Sequence, residues 1–190
     1  LPVQAIDGAT WAEVDVPSCG WTTLHAGLSA ETENTLRATE RLLENDLIRV
    51  ELDELGQVTS IYDKEAQREL ATGPCNALKM YKDVPTNWDA WDLDSMYEET
   101  PVALDGPATV AVGERGPLVA TILVRRTLHN SPMTQTIRLR AGSRRVEFHT
   151  VIDWQESHKL LKVDFPVAIY NTQALHEIQF GHLARPTHKS

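Results

Sequence analysis

Leu118-Val-Ala-Thr-Ile-Leu-Val-Arg-Arg-Thr-Leu128 is rich in Val, Ile, Leu and Thr, and Asn130-Ser131-Pro132 breaks it. Branched side chains of this kind favour a pleated strand, and an Asn/Ser/Pro cluster favours a turn. Thr134-Gln-Thr-Ile-Arg-Leu-Arg140 then alternates, with Ile137 and Leu139 opposite Arg138 and Arg140. Ala141-Gly-Ser143 turns into Arg144–Asp153, where Val146, Phe148 and Ile152 share one side. Leu161, Val163, Phe165 and Val167 give another period of two. Strands are therefore expected at 119–128, 134–140, 144–153 and 160–168, joined as an antiparallel meander. Arg at alternate positions means that one face of this sheet is wet or lines a groove.

The pattern extends towards the N-terminus. Leu47-Ile-Arg-Val-Glu-Leu52 places Ile48, Val50 and Leu52 on one face. Asp53-Glu-Leu-Gly56 turns, and Val58-Thr-Ser-Ile-Tyr62 completes a β-hairpin. Leu36 to Leu43 has apolar spacing for two helical turns, a length that is marginal alone. Trp11–Val16, the turn Pro17–Gly20 and Trp21–Leu24 read as a separate pair of strands, and Ser29–Asn34 as a polar linker. No heptad or longer repeat appears. The expected fold is an all-β, mainly antiparallel sandwich with few short helices. Residues 1–28 would end a preceding small β segment, and 29–190 would form the sandwich.

The 190 residues carry 42% hydrophobic and 24% charged side chains, ordinary values for a globular chain with a real core. A net charge of −9 disfavours general nucleic-acid binding, which needs a basic face. No apolar run of roughly 18 residues is present to span a membrane. Leu1-Pro2-Val3-Gln4 has no signal-peptide character and reads as a cut end. The six Asn residues form no glycosylation sequon, and Cys19 and Cys75 suit free thiols in a reducing, cytoplasmic compartment. Charge is unevenly placed. Asp83 to Asp105 holds seven acids and no Lys or Arg, while Arg115 to Arg145 holds seven Arg and no acid. Two readings stay open: solvated or mutually paired faces, and a polar pocket whose acids are held by Arg.

Motifs for common chemistry fail individually. His176-Glu177 lacks the last His of a zinc helix, since Phe180 stands there. Gly113-Glu-Arg-Gly116 is no phosphate loop, and Gly27-Leu-Ser29-Ala-Glu31 is no nucleophile elbow. No Cys-x-x-Cys occurs, and His182 with His188 is a weak metal signal. Asn87-Trp-Asp-Ala-Trp-Asp92 is the unusual stretch. If it is extended, each side has one indole and one carboxylate. The apolar face of a pyranose packs on an indole, and its hydroxyls donate to carboxylates. The alternative is a core Trp pair with solvated acids. Trp88, Asp89, Trp91 and Asp92 are thus the substrate-binding candidates, with Asn87 and Tyr97 behind them.

Five stretches resemble the C-terminal region of glycoside hydrolase family 38, the α-mannosidases, especially the branch with bacterial and cytosolic or vacuolar members. They are Leu43–Val50, Val58–Glu65, Asn87–Asp92, then Asp153-Trp154 with His158–Lys162 and Phe165-Pro166, and finally Glu177–Gly181 with Arg185–His188. The resemblance implies a galactose-mutarotase-like β-sandwich, truncated here at its C-terminal end. It implies a parent enzyme that hydrolyses terminal α-mannosyl residues with retention, using a carboxylate nucleophile, an acid/base carboxylate and zinc or another divalent ion. In the family these groups lie in an N-terminal barrel, so no nucleophile, acid or metal ligand is assigned to this chain. The expected partners are that catalytic barrel and mannosides, with no nucleic acid and no membrane. The rival readings are a stand-alone carbohydrate-binding module, an epimerase-type enzyme pairing His149 or His158 with Glu156, and an adhesive sandwich.

Overall fold

The computed structural model describes residues 1–6, 8–24, 34–89 and 91–188. Strands β1 (Val3–Ile6) and β2 (Ala9–Ala12) form an N-terminal hairpin. A five-stranded sheet follows in chain order: β3 (Arg37–Thr39), β4 (Leu42–Glu44), β5 (Ile48–Leu52), β6 (Val58–Asp63) and β7 (Arg68–Glu69). Next come β8 (Ala77–Lys82) and β9 (Pro101–Val102). A four-stranded meander is made by β10 (Ala108–Arg115), β11 (Val119–Leu128), β12 (Ser131–Arg140) and β13 (Val146–Ile152). β14 (Lys159–Asp164) pairs with β8, and β15 (Gln173–Ile178) with β16 (Gly181–Pro186) makes a last hairpin. The ladders are antiparallel, as expected. The helical content of the described residues is a 3₁₀ turn at Tyr97–Glu99.

Alternation along β11 and β12 builds the core. Ala120, Ile122, Val124 and Leu128 face inwards with Met133, Ile137 and Leu139. Leu43, Val50, Leu52 and Val58 of the five-stranded sheet close over them, joined by Cys75 and Met80. Each buried aliphatic side chain stabilises the folded state by roughly 1.5–3 kcal/mol, which makes this seam the main source of stability. Polar side chains fix the register of the layers. The Asn45 amide, 1% exposed, donates to the carbonyls of Arg140 (2.8 Å) and Ser143 (2.7 Å). Asn76 and Gln135 exchange amide bonds at 2.7 and 3.1 Å beneath Gly56.

Some elements depart from the sequence reading. Leu36–Leu43 is not helical: β3 and β4 form a tight hairpin there, with Leu36 and Leu43 both in the core. Pairing with β5 supplies the tertiary support that a two-turn helix would lack. β14 does not extend the meander. Glu156 is bonded to the turn between β11 and β12, and the chain crosses from there to β8. The break after Leu128 holds, but β12 begins at Ser131 rather than at 134, with Pro132 inside it. Pro132 sits just outside the first registered pair with β13, so its missing N–H costs no ladder bond, and its carbonyl accepts Asp153 N–H at 2.9 Å. Near the N-terminus, Trp11 belongs to the end of β2, and Trp21–Leu24 forms no strand. The expected linker Ser29–Asn34 and the boundary after residue 28 fall, apart from Asn34, outside the described residues.

Candidate functional site

The Trp-Asp stretch lies in the loop 83–100, between β8 and β9. Tyr81 and Pro101 face each other across the neck, and Thr100 is bonded to Lys82 through both backbone and hydroxyl. Asp83 is held by the His158 carbonyl, and its carboxylate accepts Asp94 N–H at 2.8 Å. Asp94 in turn accepts Met96 N–H at 2.9 Å, an Asx turn that starts the 3₁₀ segment. Tyr97 anchors the inner side. Its ring meets Tyr81 edge-on at 5.2 Å, its hydroxyl accepts from Lys162 Nζ at 2.6 Å, and Lys162 lies 4.9 Å from the ring centroid. The bond to Tyr97 outweighs partial burial and, with the charges of Tyr97, Glu98 and Tyr81, raises the Lys162 ammonium above its ordinary pKa.

On this base the stretch folds as a turn and is not extended. Trp88 has φ +63°, and its carbonyl accepts the N–H groups of Trp91 (2.7 Å) and Asp92 (2.9 Å). The even two-sided alternation therefore does not hold, and Ala90, one of its members, lies outside the described residues. The turn brings Trp88 and Trp91 onto one short segment, 72% and 87% exposed. Neither indole packs in the core of the described residues. Asn87, Asp89 and Asp92 are exposed beside them, while Tyr97 is half-buried and anchoring. The sequence reading missed Asp83, Asp94 and Lys162 as supports. Asp94-Ser95-Met96 carried the Asx-turn signal, whereas Lys162 is brought in only by the β14–β8 pairing.

The Arg-rich strands turn elsewhere. Arg138 and Arg140 flank Glu147, Arg144 pairs with Asp63 and Glu65, and Arg126 donates to the Leu104 carbonyl at 2.7 Å. Mutually paired faces describe these arginines better than a pocket of Arg-held acids. The epimerase-type pairing also fails. Glu156 reaches His129 Nδ1 at 2.9 Å, Asn130 N–H at 2.8 Å and Ser131 Oγ at 3.1 Å, rather than His149 or His158. Cys19 is exposed and Cys75 buried, both as free thiols. Among the described residues, no three His, Cys, Asp or Glu side chains converge to hold a metal ion, and no helix is long and apolar enough to cross a membrane.

Residues 43–190 match the model for the glycosyl hydrolases family 38 C-terminal domain. The chain belongs to this family. It is 39% identical over 191 residues to alpha-mannosidase 2C1 of Homo sapiens, covering 93% of the chain and 18% of that relative. It is 36% identical over 156 residues to alpha-mannosidase G of Dictyostelium discoideum, covering 77% of the chain and 14% of that relative. The crystal structure of an alpha-mannosidase from Enterococcus faecalis V583 superimposes with a TM-score of 0.68 at 16% identity, over 84% of this chain and 21% of that one. The chain therefore spans less than a fifth of the curated relatives it matches, as a C-terminal module of family 38 α-mannosidase type. Within this family 38 domain, the Trp loop presents two indoles to the outside of the module.

Proposed function

We propose that the chain serves as the C-terminal module of an enzyme that hydrolyses terminal α-mannosyl residues with retention. It packs on a catalytic barrel and lends the Trp88–Trp91 loop to the edge of the sugar pocket. The exposure of both indoles on a loop bonded at its neck carries this reading. Hydrophobic rings of this size are normally buried unless a partner or ligand uses them. Trp88 and Trp91 would stack on pyranose faces, and Asp89 and Asp92 would accept hydroxyl protons. Asn87 stands beside them and Tyr97 holds the base.

On this reading residues 1–28 end a preceding β segment and 29–190 form the sandwich. The nucleophile, the acid/base carboxylate and the zinc or other divalent ion belong to the barrel, and the module alone is inactive. The unpaired cysteines accord with a cytoplasmic location. Nucleic acid and membrane are not partners. A second reading, a stand-alone carbohydrate-binding module, is favoured by the same exposed indoles and needs no barrel.

The two part in the full-length enzyme. Trp88→Ala and Trp91→Ala should each lower kcat/KM on an aryl α-mannoside about tenfold, with little change in Tm. Unchanged kcat/KM, or losses of activity and stability that run in parallel, would remove the loop from the sugar pocket.

A further inference from the structure

The outer face of the four-stranded sheet carries a polar groove, on a different sheet from the Trp loop. Register sets its floor. Thr121, Arg138 and Glu147 stand in one row across β11, β12 and β13, and Leu123, Thr136 and His149 in the next. Successive side chains alternate across a strand, so these two rows share the face opposite the core. The groove has a volume of about 600 Å³. That falls within the roughly 300–1,000 Å³ of small-ligand sites. Arg138 also lines an adjoining cleft of about 210 Å³, whose other wall is Trp11 of β2.

The β1–β2 hairpin is seated firmly enough to be a wall. Gln4, 7% exposed, donates to the Val119 carbonyl at 2.9 Å and accepts from Leu118 and Val119 N–H at 3.0 and 2.8 Å. Gly116 leaves room for it, since a Cβ there would lie 2.3 Å from Gln4 Cδ.

We infer that this groove is a binding site for a neutral oligosaccharide, with Trp11 as its stacking plate. Three observations select that ligand class. Trp11 is 56% exposed on the adjoining cleft, which meets the groove at Arg138, and the groove itself offers Glu114, Thr121, Thr136, Glu147 and His149 as hydrogen-bonding groups. The planar groups are already oriented: Glu147 is flanked by Arg138 at 3.9 Å and Arg140 at 3.4 Å. Arg138 itself is 37% exposed at the groove, so its terminal guanidinium N–H groups face the cavity side of that pair. Charge decides against other classes. The two guanidiniums are outnumbered by the three carboxylates of Glu147, Glu13 and Glu114, which disfavours a phosphate and suits an uncharged polyol. A single exposed aromatic ring is too little for an apolar peptide or helix.

The site does not depend on the Trp88–Trp91 loop, and the test separates them. The chain is labelled with 5-fluorotryptophan, and the five resonances are assigned by single Trp→Phe substitutions. It is then titrated with mannobiose and mannotriose, and the titration is repeated in the full-length protein. The Trp11 resonance should shift saturably in both. His149→Ala and Arg138→Gln should each weaken that response roughly tenfold while Trp88 and Trp91 respond as before. The inference is overturned if Trp11 is silent in both proteins, if it responds only in the isolated chain, or if it responds equally in both variants.

Discussion

Asn45 uses every hydrogen-bonding position it has. Its amide bonds two carbonyls of the β12–β13 turn, and its Oδ1 accepts from Leu47 and Ile48 N–H at 2.9 Å each. Replacing it strands four buried or half-buried groups. Asn45→Ala should cost about 3 kcal/mol in chemical denaturation. A cost within about 0.5 kcal/mol would mean that the turn is held by something else. Gly56 has φ +77°, and a Cβ there would fall 2.6 Å from Val124. Gly56→Ala combines left-handed strain with a core collision, and should lower stability by about 2 kcal/mol in the same measurement. The two residues differed in legibility. Gly56 announced itself as a turn glycine after Asp53, but its contact with Val124 depends on packing between sheets. Asn45 is one of six Asn, and nothing local marks it as the tie to residues almost a hundred positions away.

The loop 83–100 and the Glu156 clamp show how elements are held in place. Lys162 Nζ bonds Tyr97 from a strand that enters only through the β14–β8 ladder. Lys162→Met should leave the fold intact and loosen the loop. Amide exchange at Asp92, Asp94 and Tyr97 should then quicken several-fold while that of Ile137 stays slow. Unchanged loop exchange would show that Asp83 and Asp94 suffice. Glu156 gives a pH dependence. Burial pushes its pKa up, but the bonds from Asn130 N–H, His129 and Ser131 outweigh this and hold it below the ordinary carboxylate value. A group depressed in the folded state lends stability above its unfolded pKa, and this is lost as pH falls through the folded value. Tm should therefore drop on acidification to about pH 3, and drop less in Glu156→Gln. Equal slopes would assign acid sensitivity to other carboxylates, Glu69 among them: there burial also raises the pKa, but bonds from Ser60, Ala71, Ile61 and Leu70 outweigh it and hold the group below its ordinary value. Strands with strict alternation, such as β5 and β12, were readable because one face is buried throughout. Leu36–Leu43 misled because a short apolar spacing fits either a helix or two three-residue strands, and the partner β5 decided.

Among the described residues, large hydrophobic side chains stand exposed in the Trp loop, at Trp11 beside the outer groove and in the hairpin β15–β16, as well as at Trp21 and Tyr170. In the hairpin, Leu175 is 69% exposed and Phe180 fully so. Leu175→Gln should leave Tm unchanged, because the side chain gains nothing from water exclusion in the chain itself. A clear loss of Tm would place it against the sandwich. The all-β fold and the likeness to the family 38 C-terminal domain could be read from strand alternation and from five stretches in order. The turn at Trp88 could not, because a positive φ at a Trp follows from the neck bonds around it rather than from its own preference. The claim that joins all of this is that the chemistry lies outside these residues and the module supports it. The purified chain should be assayed beside the full-length protein on an aryl α-mannoside, with zinc or cobalt supplied. The chain should give no turnover above buffer while the full-length protein is active. Sustained, metal-stimulated turnover by the 190 residues alone would contradict it.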